Sequence, residues 1–276
     1  MSENPAVQNS YVLELHGLSK NFGGLRAVRD MEMAIPKGAL YGLIGPNGAG
    51  KTTIFNLITG IYGITSGEIL FNGQSIKGFE PYEINQMGIA RTFQNIRLFS
   101  DLTVLDNVRI AYHPHAGYSF SDALFHSPKY YMKENELTDK AIEFLSVFGL
   151  QDRIHSIAKN LPYGEQRRLE IARALAAYPK LLLLDEPAAG MNPNESVALM
   201  DLIHFIREKF ELTILLIEHQ MRVVMGVCEM ITVMDFGERI AFGGPAEIQS
   251  NPKVIEAYLG PGASALAEKF KRKRNR

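Results

Sequence analysis

A chain of 276 residues, 46% of them hydrophobic, can bury one large core or one core with a smaller lobe, so one or two domains follow. The formal net charge of −1 hides an asymmetry, because six positive charges fall between Lys269 and Arg276; the ordinary fate of such a tail, 261–276, is solvated disorder, with anionic lipid or nucleic acid as the alternatives. No run approaches the roughly eighteen apolar residues of a membrane span, Met1 to Ser10 has no charged-then-apolar signal pattern, and the single cysteine, Cys228, has no partner within the chain, which together point to a protein that stays in the cytosol.

Short strands open the chain at Tyr11 to Leu15 and at Met31 to Ile35, the second ending in the turn Pro36-Lys37-Gly38. Between them the loop Asn21 to Gly24 carries Phe22, an aromatic with no periodic partner, suited either to stacking on a flat ligand ring or to plain packing. The apolar run Ala39 to Ile44 reads as a buried parallel strand. It leads into Gly45-Pro46-Asn47-Gly48-Ala49-Gly50-Lys51-Thr52-Thr53, which fits Gly, four residues, Gly-Lys-Ser/Thr, the spacing of a phosphate cradle. Glycines there let successive N–H groups turn inward around phosphate oxygens, Lys51 reaches the β- and γ-phosphates, and the Thr52 hydroxyl is placed to ligate Mg²⁺. Thr52 to Thr59, closed by Gly60, reads as a helix whose N-terminus faces the anion.

Ser66 to Gly73 reads as a strand and hairpin turn, and Arg91 to Asn95 as a β-like stretch entering a loop. From about 103 to 160 the periodicity becomes helical, as in Leu137, Ala141, Phe144, Leu145 and Phe148 with Gly149 as a stop. His113 and His115 lie in an aromatic-rich part of this stretch, but no Cys or acidic cluster completes a metal site, and a surface role is the default. Leu181 to Leu184 is a continuous apolar run ending in Asp185-Glu186. Such a pair is an ordinary strand end, or, beside a phosphate cradle, a metal-holding Asp185 and a water-orienting Glu186. Asn192, Pro193 and Glu195 start a helix with an apolar face at Leu199, Leu202, Ile203 and Ile206. The strand Leu212 to Ile217 ends in Glu218-His219, which puts His219 at a strand end alongside Asp185. A last hairpin spans Met230 to Phe242 around Phe236-Gly237, and Pro245 to Leu259 forms a helical appendix.

With these stations in order, the chain resembles the ATP-binding subunits of ABC transporters over residues 10–260. The resemblance implies an α/β fold: a P-loop NTPase core with a mainly parallel sheet, an N-terminal antiparallel β region and an inserted helical lobe. It implies an ABC ATPase domain over 10–244 with the lobe at about 103–178, then an appendix over 245–260 and the tail. By the same likeness Phe22 stacks on adenine, Gln94 senses Mg²⁺ and the membrane partner, Asp185 and Glu186 are the metal-binding and catalytic carboxylates, and His219 contacts the γ-phosphate. The signature motif, usually Leu-Ser-Gly-Gly-Gln, reads Leu161-Pro162-Tyr163-Gly164-Glu165-Gln166. Gly164 and a helix start remain to meet a phosphate held by the opposite subunit, whereas Pro162 supplies neither a hydroxyl nor an N–H.

Within the family the likeness is to the ATPases of branched-chain amino acid importers. It rests on Arg91-Thr92-Phe93-Gln94, Arg97-Leu98-Phe99, Tyr163 to Glu170, Ala188 to Pro193 and the end Asn251 to Gly260. What that implies is an ATP- and Mg²⁺-dependent subunit on the cytoplasmic face of the membrane. Its partners would be two polytopic membrane subunits, a second ATPase or a copy of itself in a head-to-tail dimer, and indirectly a soluble binding protein. Lipid or small-molecule transport, or a soluble ABC ATPase acting on ribosomes or DNA, are the alternatives. Against the last, the chain has one cradle rather than two and no long coiled-coil or zinc insertion, so no nucleic acid is expected.

Overall fold

Three apolar stretches, each buried along its whole length, determine the architecture, since strands covered on both faces need layers above and below. The computed structural model describes residues 10–113 and 116–260. In chain order, β1 (Tyr11–Phe22) and β2 (Leu25–Pro36) lead into β3 (Leu40–Ile44) and α1 (Lys51–Ile58). Next come β4 (Ser66–Phe71), β5 (Gln74–Ser75), α2 (Pro81–Met87) and β6 (Ile89–Arg91), followed by helices α3 (Val104–Tyr112), α4 (Phe120–Leu124), α5 (Pro128–Val147) and α6 (Tyr163–Leu175). The remainder alternates β7 (Leu181–Asp185), α7 (Pro193–Lys209), β8 (Thr213–Ile217), α8 (Met221–Val227), β9 (Met230–Asp235) and β10 (Glu238–Gly243), then closes with α9 (Pro245–Ser250) and α10 (Pro252–Leu259).

One sheet runs β10-β9-β3-β8-β7-β6 and is parallel except for β10. The other, β2-β1-β4-β5, is antiparallel. Alternate residues of the parallel strands serve two separate cores. Leu182, Leu184, Ile214 and Leu216 face the helices, while Leu181, Leu183, Leu215 and Ile217 face the antiparallel sheet. Each such leucine or isoleucine contributes about 1.5–3 kcal/mol on burial. On α5 the buried positions Leu137, Ala141, Phe144 and Leu145 recur at helical spacing and form one stripe against the first core. Gly149, at φ 64, then turns the chain out of the helix.

The α/β architecture agrees with the sequence reading, with three differences of detail. First, β1 and β2 extend far beyond Tyr11–Leu15 and Met31–Ile35, so Phe22 ends a strand and only Gly23-Gly24 forms the turn. Several register shifts, such as that between Leu15 and Leu18, break the alternation by which a strand is read. Second, the appendix is two helices: Asn251, at φ −73 and ψ 120, is extended and caps α10, as a residue before proline prefers. Third, α2 has no counterpart in the sequence reading. His113 Nε2 lies 2.9 Å from the Tyr118 hydroxyl; His115 and the basic tail lie outside the described residues.

Candidate functional site

At the C-terminal edge of the parallel sheet β3, β7 and β8 end together, with Asp185 paired to Ile217 and Leu43 to the same Ile217. The loop from Gly45 to Gly50 follows β3 and turns straight into α1. Its glycines are dictated by space: a Cβ on Gly45 would stand 2.2 Å from the Met234 carbonyl oxygen, and one on Gly50, at φ +104, 2.5 Å from that of Ala27. The loop is tied by Ala49 N–H to Pro46 O at 3.2 Å and by Gly237 N–H to Ala49 O at 3.0 Å. Lys51 is buried, and its ammonium donates to Gly45 O at 2.7 Å and Pro46 O at 3.0 Å. Burial lowers its pKa, against the opposing charges of Glu186 and Asp185.

A cavity of about 430 Å³ opens over this loop. Asn47 to Thr53 line it together with Phe22, Gln94 and Glu186, whereas Pro46 faces a neighbouring cleft beside α10. Phe22 is half exposed, with its ring 5.2 Å edge-on from that of Tyr62 and the Lys20 ammonium 4.9 Å away. At the other end of the cavity the Gln94 amide donates to Glu186 Oε2 at 2.9 Å, and His219 Nδ1 lies 3.5 Å from the same oxygen. Glu186 has φ 46, a conformation uncommon for a side-chain-bearing residue and costly unless its surroundings hold it.

Asp185 is set back from the cavity and buried. Its Oδ2 accepts from Arg91 Nη2 at 2.7 Å, and Arg91 Nη1 donates to Asn56 Oδ1 at 2.6 Å. Burial raises the Asp185 pKa, with Arg91 pulling it down. Thr52 and Gln94 line the cavity and Asp185 lies behind it; all three offer oxygen donors, the kind Mg²⁺ takes, and among the described residues no three His, Cys, Asp or Glu cluster to hold a metal.

Pro162 to Gln166 do not join this cavity. Pro162 is the residue before α6 and makes no side-chain cap; with Gly164 and Glu165 it borders a separate cavity of about 520 Å³. Glu165 Oε2 lies 3.3 Å from Arg153 Nε, and the Gln166 amide donates to Leu161 O at 2.8 Å. Tyr163 reaches toward the segment after Glu186, donating to Ala189 O at 2.9 Å.

Two residues beside the site were given no role by the sequence reading. Arg91 is one, signalled only by a cation at the end of the apolar Ile89-Ala90 pair. Glu218 is the other: fully buried, it accepts from the N–H groups of Ala188 at 2.9 Å, His219 at 3.1 Å and Gln220 at 3.3 Å. Burial raises its pKa although these donors oppose it. It thereby ties the segment after β7 to the segment after β8.

A family model described as ABC transporter matches residues 28–189, and a second, described as branched-chain amino acid ATP-binding cassette transporter, matches residues 238–260. The high-affinity branched-chain amino acid transport ATP-binding protein LivG of Escherichia coli K12 is 44% identical over 249 residues, covering 90% of this chain and 98% of LivG. BraF of Pseudomonas aeruginosa, with the same description, is 43% identical with the same coverage. Among solved structures, the ADP conformation of an ATP-binding cassette of an ABC transporter superposes with a TM-score of 0.79 at 33% identity, over 91% of this chain and 99% of that one. The chain therefore belongs to the ATP-binding cassette family of ABC transporters, in the branch of the branched-chain amino acid transport ATP-binding proteins.

Proposed function

We propose that this chain is a Mg²⁺-dependent ATPase that powers import of branched-chain or related amino acids through separate membrane subunits, from the cytoplasmic face of the membrane. The observation that carries the catalytic part is the convergence of Gln94 and His219 on one oxygen of Glu186 at the mouth of the phosphate cradle. In this reading Phe22 stacks on adenine, and the N–H groups of Gly45, Pro46's neighbours Asn47 to Gly50, and α1 surround the phosphates together with Lys51, Thr52 and Thr53. Glu186 orients the attacking water and accepts its proton while the bond between the γ-phosphorus and the ADP oxygen breaks. His219 donates to the γ-phosphate. Thr52, Gln94 and Asp185 would hold Mg²⁺, which would supply neutralisation of the phosphate charge.

Pro162, Tyr163, Gly164, Glu165 and Gln166 meet the nucleotide of a partner ATPase in a head-to-tail dimer. That role fits their separation from the cradle of their own chain, on which they have no wall. Because Pro162 brings no hydroxyl, the composite site that uses it turns over more slowly than one with an intact serine. The ATPase unit is taken as residues 10–244, with the lobe of about 103–178 moving on closure and 245–260 as an appendix. The substrate class rests on the 44% identity to LivG.

The test is recovery of the tagged chain from its native membranes, followed by reconstitution into liposomes. Two polytopic membrane proteins and a second ATPase should come with it, and ATP turnover should rise on adding a leucine-loaded binding protein and vanish in Lys51→Ala. Ribosomal proteins or nucleic acid in place of membrane subunits would overturn the transport reading and leave the ATPase chemistry.

A further inference from the structure

Tyr163 occupies a signature position normally filled by glycine, and its side chain does more than fill space. Its hydroxyl donates to Ala189 O at 2.9 Å and accepts from Arg167 Nη2 at 3.1 Å. Its ring covers Gly190, at φ +76, where a Cβ would stand 3.5 Å from Tyr163 Cε1. Arg167 is fully buried and reaches the other side of the site: Nη2 donates to Gln94 O at 2.8 Å, Nη1 to Phe93 O at 2.7 Å and to Glu170 Oε2 at 2.8 Å.

These bonds close a ring. From Tyr163 it runs to Ala189, whose N–H donates to Glu186 O at 3.1 Å. Glu186 Oε2 accepts from the Gln94 side chain at 2.9 Å, and the Gln94 carbonyl accepts from Arg167, which returns to Tyr163. Glu186 thus has its main chain on one arm of the ring and its carboxylate on the other. The backbone at Glu186 sits in the left-handed region, so its geometry depends on such outside support.

We propose that Tyr163 is a positioning residue for Glu186 of its own chain: through Ala189 and Arg167 it holds the turn after β7 and the Gln94 segment at the spacing that water activation needs. This deepens the ATPase reading and rests on it. The signature loop then has two duties, one toward the nucleotide of the partner and one toward the catalytic carboxylate behind it. Movement of α6 on dimer closure is transmitted to Glu186 by hydrogen bonds within one subunit.

The experiment uses the assembled transporter from native membranes and compares wild type, Tyr163→Phe, Glu186→Gln and the double variant, the two substitutions carried on the same chain. Tyr163→Phe keeps the ring over Gly190 and removes only the hydroxyl. A hydrogen bond at this position is worth about three- to tenfold in rate. The expected result is a drop of that size in ATP turnover, with affinity of the isolated chain for a fluorescent ATP analogue unchanged. On the Glu186→Gln background, followed by single-turnover release of labelled phosphate, Tyr163→Phe should add nothing, because the group it positions is already gone. A further drop of the same factor would mean that the hydroxyl serves the partner's site and would overturn the inference. So would wild-type turnover in Tyr163→Phe. Absence of turnover in the wild-type transporter would instead overturn the ATPase reading, and the inference with it.

Discussion

Arg91→Ala removes the guanidinium that meets Asp185 inside the protein. The two side chains are 6% and 4% exposed and 2.7 Å apart, so water cannot replace the lost partner. Breaking a buried pair from one side costs about 3–5 kcal/mol, because the remaining charge is left in a poor solvent. The bond to Asn56 and the packing of the guanidinium between the Phe55 and Phe93 rings, 5.3 and 5.1 Å away, go with it. At about 2–4 °C per kcal/mol for a chain of this class, the thermal midpoint should fall by about 6–20 °C. Urea and thermal unfolding followed by circular dichroism measure it. Arg91→Lys, which keeps the charge and loses the fork, should lie between the two. Arg91→Met combined with Asp185→Leu should regain most of the loss, since no buried charge then lacks a partner. A single variant Arg91→Ala within about 1 kcal/mol of wild type would refute the reasoning.

Glu186→Gln should leave nucleotide affinity intact and lower ATP turnover by about 10²–10⁴-fold, the range for loss of a general base; a drop under tenfold would assign the proton to another group. Gly50→Ala brings a Cβ within 2.5 Å of Ala27 O at φ +104, so it should abolish binding of a fluorescent ATP analogue while far-ultraviolet circular dichroism stays native. Cys228 is 5% exposed and burial, then the charges of Glu218 and Glu229, push its thiol up to about 12. Iodoacetamide at pH 8 should label it only as the chain unfolds. The folded thiol keeps its proton above pH 9, where the unfolded one, with the ordinary thiol value of 9.0, loses it. The stability advantage of wild type over Cys228→Ala should therefore shrink as pH rises from about 9, by up to about 1.4 kcal/mol per pH unit. Urea midpoints at pH 8, 9 and 10 test that sign.

What was legible in the sequence was local. The strand, glycine-rich loop and helix around Gly45 to Thr53 lie in one unbroken stretch, Ala39 to Thr59, and the cap at Asn192, whose side chain accepts from Asn194 and Glu195 N–H, repeats in three dimensions the pattern of Asn, Pro and Glu along the chain. The buried run ending at Asp185 was equally plain, because a strand covered on both faces has no polar alternation to obscure it. What escaped depends on residues far apart. Arg91 meets Asp185 across 94 positions, Glu218 meets Ala188 across 30, and Tyr163 meets Ala189 across 26. Nothing near Arg91 in the chain distinguishes a cation that will pair in the interior from one that will point to solvent. The bulged β1 shows a different limit: each register shift exchanges the two faces, and the periodic signal cancels along a strand that is nonetheless continuous.

The phosphate loop is held by its own chain, with Lys51 bridging the carbonyls of Gly45 and Pro46 and Gly237 clasping Ala49. Its conformational entropy is therefore surrendered during folding and not when a nucleotide arrives. Preorganisation of this kind leaves binding energy free for contacts with the ligand. In calorimetric terms, and on the proposed stacking of adenine against Phe22, nucleotide binding to the isolated chain should carry a small heat-capacity change, with no contribution from a segment folding around its guest.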